Sequence, residues 1–146
     1  MALCPLDRAA LEARDALCRA GAFEDASFRL ARQFRDAEEI VIAAPYCDLS
    51  FPSRLRVYLE QIMVAGLTFH YRADGRPEGH CRAERLHYFS TCGGFVGERH
   101  LGFCYVRELA ATMLGIPESI LHMVEGLDID PMRREAILAA HLHDFD

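Results

Sequence analysis

Hydrophobic spacing divides this chain into amphipathic helices and short apolar strands. Over 53–66, Leu55, Tyr58, Leu59, Ile62 and Met63 stand at i, i+3, i+4, i+7 and i+8, one stripe of a helix. Pro52 falls in the first turn of that helix and Gly66 is its expected stop. A similar stripe of Leu30, Ala31, Phe34 and Ala37 predicts a helix over about 24–37, with Arg29, Arg32, Arg35 and Asp36 mostly on its solvated side. An earlier helix opens at Asp7, an N-cap with Leu6 as staple, and stops at Gly21. The stretch "EIVIAA" (39–44) behaves differently. It is short, β-branched and apolar throughout without period-2 alternation, which predicts a parallel strand covered on both faces.

Downstream, "LTFHYRADGRPEGH" (67–80) is an extended piece around an Asp-Gly turn signal and predicts a hairpin-like excursion. "RLHYFST" (85–91) is the next strand, followed by the loop "CGGFVGER". A helix over about 100–114 closes at Gly115-Ile116-Pro117, "SILHMVEG" (119–126) is a third strand, and Asp130-Pro131 opens a last helix to about 142. Strands alternating with helices imply an α/β fold, a parallel sheet with right-handed crossovers and helices on both faces.

At 146 residues the expected organisation is one domain spanning 1–146. The net charge of −6 argues against a nucleic-acid-binding face. No apolar run approaches the ~20 residues needed to cross a bilayer. "MALCPLDRAALEARD" lacks a basic segment followed by an apolar one, so no signal peptide is expected and the expected compartment is the cytoplasm. Six cysteines without a C-x-x-C pair are then expected as reduced thiols. The histidines, including His80 beside Cys81 and His141 near His143, lack the spacings of a zinc site, so no metal is expected.

In parallel sheets of this kind ligands bind at the carboxyl ends of the strands. Two loops qualify: Pro45-Tyr46-Cys47-Asp48-Leu49 and Thr91-Cys92-Gly93-Gly94-Phe95. If their strands are neighbours, these loops lie side by side. Tyr46 and Leu49 offer ring and aliphatic surface, and Gly93 and Gly94 let backbone N–H groups approach a flat ligand's polar edge. The residues alone equally allow two tight strand-to-helix connections, with Gly-Gly there for turn geometry. Cys47 and Cys92 are open to reading as redox-active or as inert thiols. Tyr71, read from the residues, is ordinary hairpin packing.

The run "IVIAAPYCDLSFPSRLRVYLEQIMVAGLTFHYRADGRPEG" resembles the FMN-dependent NADH-azoreductase and NAD(P)H:quinone oxidoreductase branch of the flavodoxin-like superfamily. The correspondence runs through Ala44-Pro45-Tyr46-Cys47-Asp48-Leu49, Ala65-Gly66-Leu67-Thr68-Phe69-His70-Tyr71, Pro77-Glu78-Gly79 and Thr91-Cys92-Gly93-Gly94. The resemblance implies a flavodoxin-like α/β/α fold and a homodimer holding one FMN per subunit. A hydride would pass from NAD(P)H through FMN to a quinone, azo or nitro acceptor, with the cofactor supplying the chemistry and no side chain as catalyst. By the same resemblance Pro45, Tyr46, Cys47, Asp48 and Leu49 contact the flavin ring. Thr91, Cys92, Gly93 and Gly94 meet its pyrimidine edge, and Tyr71 lines the substrate pocket. Two positions depart from the pattern: the family's Tyr-Asn reads Cys47-Asp48, and an arginine of its second loop reads Cys92.

Flavodoxin-like sheets run 2-1-3-4-5, and the loop after strand 1 holds the FMN phosphate at a helix N-terminus. Residues 1–37 contain no apolar strand followed by a Ser-, Thr- or Gly-rich loop. The expectation is therefore an N-terminally shortened fold with strands 3, 4 and 5. It is either a truncated enzyme or a catalytically silent module that dimerises or binds a partner. In both cases the outer edge of the 39–44 strand is bare, an association hazard.

Overall fold

A computed structural model describes residues 3–142. Three parallel strands, β1 (Ile40–Ala43), β4 (Arg85–Thr91) and β5 (Glu118–Val124), form a sheet in the order β1-β4-β5. Ile42 stands opposite Tyr88, and Tyr88 opposite Leu121. Helices α1 (Arg8–Arg19) and α2 (Arg29–Asp36) precede β1, and α3 (Ser53–Ile62) follows it. Helix α4 (Leu101–Leu109) follows β4 and widens into a π-turn at Ala110–Leu114, while α5 (Arg134–Leu142) follows β5. This is the α/β order expected from the hydrophobic spacing.

The main core lies on one face of the sheet. Ile40, Ile42, Leu86 and Tyr88 pack there with Phe34 of α2, Leu59 and Ile62 of α3, and Phe103 and Val106 of α4. The opposite face carries Val41, His87, Phe89 and His122, and α5 covers only its carboxyl end, through Leu138 and His141. The 39–44 strand was expected to be covered on both faces. It alternates instead, with Ile40, Ile42 and Ala44 buried while Val41 is 63% exposed. The reason is that α5 packs mainly against β5 and leaves Val41 uncovered. Among the described residues no strand pairs with the outer edge of β1.

Local chemistry sets the element ends. Asp7 caps α1 by accepting the Ala10 N–H at 2.8 Å. The helix expected over 24–37 begins as a 3₁₀ turn at Ala26–Phe28, capped by Asp25, before α2. Gly66 was expected to stop α3, but the helix ends at Ile62, four residues earlier in the chain. The buried Thr68 hydroxyl donates to the Ile62 carbonyl at 2.8 Å and accepts the Val64 N–H at 3.0 Å, so a side chain terminates the helix. Gly66, at φ +85°, serves the next turn.

Strands β2 (Phe69–Tyr71) and β3 (Pro77–Gly79) form the antiparallel hairpin expected around Asp74-Gly75. It docks on the end of α4, where a β-carbon at Gly79 would fall 1.9 Å from the Leu114 carbonyl carbon. The Cys81 N–H donates to the Leu114 carbonyl at 3.2 Å. Among the described residues no helix is long and apolar enough to cross a membrane.

Candidate functional site

Parallel pairing of β1 with β4 brings the two predicted loops together at the carboxyl end of the sheet. The Ala44 N–H donates to the Phe89 carbonyl at 3.0 Å, and the Tyr46 N–H to the Thr91 carbonyl at 2.9 Å. The ladder thus continues past both strands into Pro45–Leu49 and Thr91–Gly94.

The first loop ends in a tight reversal. Cys47 N–H donates to Ser50 O at 3.0 Å, and Ser50 N–H donates to Cys47 O at 2.8 Å. Asp48 and Leu49 between them have φ of +48° and +70°, as a type I′ turn requires at both central residues. Asp tolerates that region, whereas for Leu49 the left-handed conformation costs roughly 1–2 kcal/mol. Leu49 is 48% exposed, so packing does little to offset this cost. Strain held on an exposed loop at strand ends is typical of a ligand-binding position. Cys47 is an exposed free thiol, 3.9 Å from the Asp48 carboxylate.

The second loop is laced to the segment after β5. Cys92 N–H donates to Val124 O, while Gly126, Leu127 and Asp128 N–H groups donate to Gly94, Cys92 and Gly93 carbonyls. Gly93 and Gly94 therefore differ in purpose. A β-carbon at Gly93 would lie 2.1 Å from an Asp128 carboxylate oxygen, so the absent side chain makes room for protein. At Gly94 a β-carbon would meet nothing within 4 Å, which leaves its backbone approachable from outside. Gly94, with its exposed neighbour Phe95, is the open part of the loop.

Two residues absent from the sequence reading hold this loop in place. Glu125 accepts the Val96 N–H at 2.7 Å and the Gly97 N–H at 3.0 Å through one carboxylate oxygen. His100 caps α4, its Nδ1 accepting the Phe103 N–H at 3.1 Å. Burial pushes the His100 imidazole below its usual pKa, against an upward pull from Glu125. Glu125 acts on a segment that only the fold brings near, whereas the His100 cap is local but uses a residue outside the favoured Ser, Thr, Asp and Asn caps.

Beneath the loops a cleft of about 490 Å³ opens between the strand ends and α5, within the size range of small-molecule sites. Pro45 and Thr91 form its lip, and Ala43, Phe89, Val124 and Leu138 make it mostly apolar. The Phe89 ring stacks on His122 with centroids 4.3 Å apart. His122 meets His87 at 2.8 Å between ring nitrogens, and His87 Nε2 lies 3.1 Å from Glu39. Burial first, and His87 second, pushes the His122 pKa down.

Tyr71 is not brought to these loops. It lies on the hairpin, packed edge-on against Phe69 and 60% exposed, at the Leu114 end of α4. The loops sit at the His100 end, and the helical run between spans about 20 Å at 1.5 Å per residue. Among the described residues no group of three metal-ligating side chains gathers. His143 lies outside the described residues.

Comparison with known proteins gives the family and the fold. The sequence profile of the family described as Flavodoxin-like fold matches residues 4–146. An FMN-dependent NADH:quinone oxidoreductase of Xanthomonas oryzae pv. oryzae is 42% identical over 113 residues, covering 76% of this chain and 57% of the relative. A protein of the same name from Staphylococcus haemolyticus is 32% identical over 115 residues, covering 75% of this chain and 54% of the relative. The chain thus spans little more than half the length of these curated relatives. Among solved structures, an azoreductase from Bacillus anthracis superposes with a TM-score of 0.77 at 21% identity, covering 99% of this chain and 74% of that one. An FMN-dependent NADH-azoreductase from the same species, solved in complex with FMN, gives 0.74 at 19% identity, covering 100% and 77%. At these identities the structural likeness establishes the fold.

Proposed function

The chain belongs to the flavodoxin-like family, and from that premise we propose that it is the ring-binding part of an FMN-dependent NAD(P)H oxidoreductase of azoreductase or quinone-reductase type. The observation that carries the reading is the Tyr46–Thr91 bond, which sets the two loops side by side at the carboxyl end of the sheet. The open Gly94 backbone and the strained Cys47–Ser50 turn fit the edge and face of a flat heterocycle. When bound, FMN would accept a hydride from NAD(P)H and pass it to a quinone, azo or nitro compound. The chain's own residues bind and orient. Pro45, Tyr46, Cys47, Asp48 and Leu49 support the ring, while Thr91, Cys92, Gly93 and Gly94 border its polar edge. Gly93 does so by keeping Asp128 close rather than by direct approach.

A substrate role for Tyr71 requires a second subunit, because Tyr71 and the loops lie at opposite ends of α4. We therefore place it in a homodimer, facing the partner's loops, and assign the assembly to the cytoplasm. The test is an absorption spectrum of the purified protein followed by FMN titration. Bound-flavin bands with quenched fluorescence, together with NADH oxidation in the presence of a quinone, are expected. A colourless protein that leaves FMN fluorescence unchanged refutes the reading.

One observation favours a second reading, a silent dimerisation or binding module. Along the edge of β1 that pairs with no strand among the described residues runs a groove of about 380 Å³ lined by Phe34, Ile40, Leu55 and Tyr58. A protein that ignores FMN yet self-associates, and loses that association on Val41→Lys, supports it.

A further inference from the structure

We propose that His100 is a positioning residue that couples the two ring-binding loops, holding one through its ring and the other through its cap. The inference rests on the flavin reading for what the loops bind, but not for the coupling itself.

Capping alone does not account for a histidine here. Ser, Thr, Asp and Asn satisfy a helix N-terminus with a smaller side chain and are the favoured caps. His100 makes the cap bond and is also only 3% exposed, enclosed by three aromatic rings. Tyr46 meets it edge-on at 5.4 Å, Tyr88 at 5.6 Å and Phe103 at 6.3 Å between centroids. Such pairs contribute beyond their buried area. Tyr46 belongs to the first loop, and its hydroxyl donates to the Arg99 carbonyl, next to His100, at 3.3 Å. The first loop is therefore seated on residues 99 and 100. Those same residues end the second loop, whose conformation depends on α4 starting at Leu101. A serine would keep the cap and lose the seat for Tyr46; a phenylalanine would do the reverse.

The cap also settles the tautomer. Because Nδ1 accepts the Phe103 N–H, a neutral imidazole carries its proton on Nε2. Among the described residues that Nε2 is buried without a hydrogen-bond partner, as are the Tyr88 and Ser90 hydroxyls on the same face of β4. Protonation of Nδ1 would instead remove the cap and release both loops together. The titratable and charged groups around the ring are Tyr46, Tyr88, Arg99 and Glu125.

Long-range ¹⁵N–¹H spectra of the wild-type imidazole test the tautomer: Nε2–H is expected, and Nδ1–H overturns the proposal. His100→Phe keeps the ring without the cap, and His100→Asn keeps a cap without the ring. In both variants the amide signals of Tyr46 to Leu49 and of Gly94 to Gly97 should move. FMN affinity should weaken about fivefold in each, the loss expected for one cap-sized interaction. In a double-mutant cycle with Tyr46→Ala, the second substitution should weaken FMN at most about twofold once the first is made. Additive losses, or Tyr46–Leu49 amides unmoved in both variants, overturn the coupling. If wild-type protein binds no FMN, the flavin reading falls while the tautomer and amide measurements still decide the role of His100.

Discussion

Glu125 provides the sharpest test of how the second loop is held. Its single carboxylate oxygen receives two N–H groups, from Val96 at 2.7 Å and Gly97 at 3.0 Å. Hydrogen bonds to a charged group contribute ~1.5–3 kcal/mol each, but water replaces part of that where the donor is exposed. Val96 is half-buried and Gly97 exposed, so Glu125→Ala should cost about 2 kcal/mol, mostly through Val96. For a chain of this size that lowers Tm by roughly 5–8 °C. Glu125→Gln keeps an acceptor oxygen and loses the charge, and should recover about half of the loss. Thermal unfolding at neutral pH reads both variants, and hydrogen exchange at Val96 and Gly97 locates the effect. An alanine variant that melts within about a degree of wild type, or unchanged Val96 exchange, refutes this role for Glu125. Glutamine as damaging as alanine refutes it too, because the bond then depends on charge alone.

Gly93→Ala should destabilise the loop by pushing Asp128 off Arg134, an exposed pair at 2.7 Å, and Asp128→Ala in the same chain should restore the melting point. Stability should rise with pH through the histidine range. His100 and His122 are held below 6.5 by burial, so near and under that pH the unfolded chain binds protons the folded chain refuses. Their contribution is complete above 6.5 and lost as pH falls toward the folded values; melts at pH 7.5 and 5.5 check this, and identical melting points contradict it. Burial raises the Cys81 thiol to about 11, whereas Cys47 is exposed. At pH 8 a disulfide reagent should therefore label Cys47 quickly and Cys81 only on unfolding, and Cys47→Ser should remove part of the fast phase.

Much of the fold was legible because its signals are local. The strand at 85–91 matches β4 to the residue, the Asp-Gly turn lies where the hairpin reverses, and Asp7 caps α1 as expected. The juxtaposition of the two loops was expected only if their strands were neighbours, a condition that the pairing of β1 with β4 meets. What was hidden depends on approach between distant segments. Nothing around Val41 shows that α5 stops short of it, since the residues of β1 are apolar on both faces. Thr68, which ends α3, lies beyond the glycine that looked like the stop. Glu125 fell inside the strand expected over 119–126 and His100 at the start of the helix expected over 100–114, and neither position marks a role in holding a loop. Their roles arise only once β5 lies beside β4 and Tyr46 reaches Arg99. Gly93 and Gly94 read as a pair, yet one makes room for Asp128 and the other is open.

At Gly79 the hairpin meets the end of α4 main chain against main chain, with no flexible side chain between them to yield. A saturation library of this protein should consequently show a gap at position 79, where even alanine is lost. Gly75, four residues earlier, should remain permissive to Asn and Asp, because its positive φ is its sole constraint and a β-carbon there touches nothing. The two glycines would thus separate in one experiment, one limited by its own dihedral and the other by its neighbour's backbone. Drift in this hairpin is then channelled into its tip, while its attachment to α4 stays fixed.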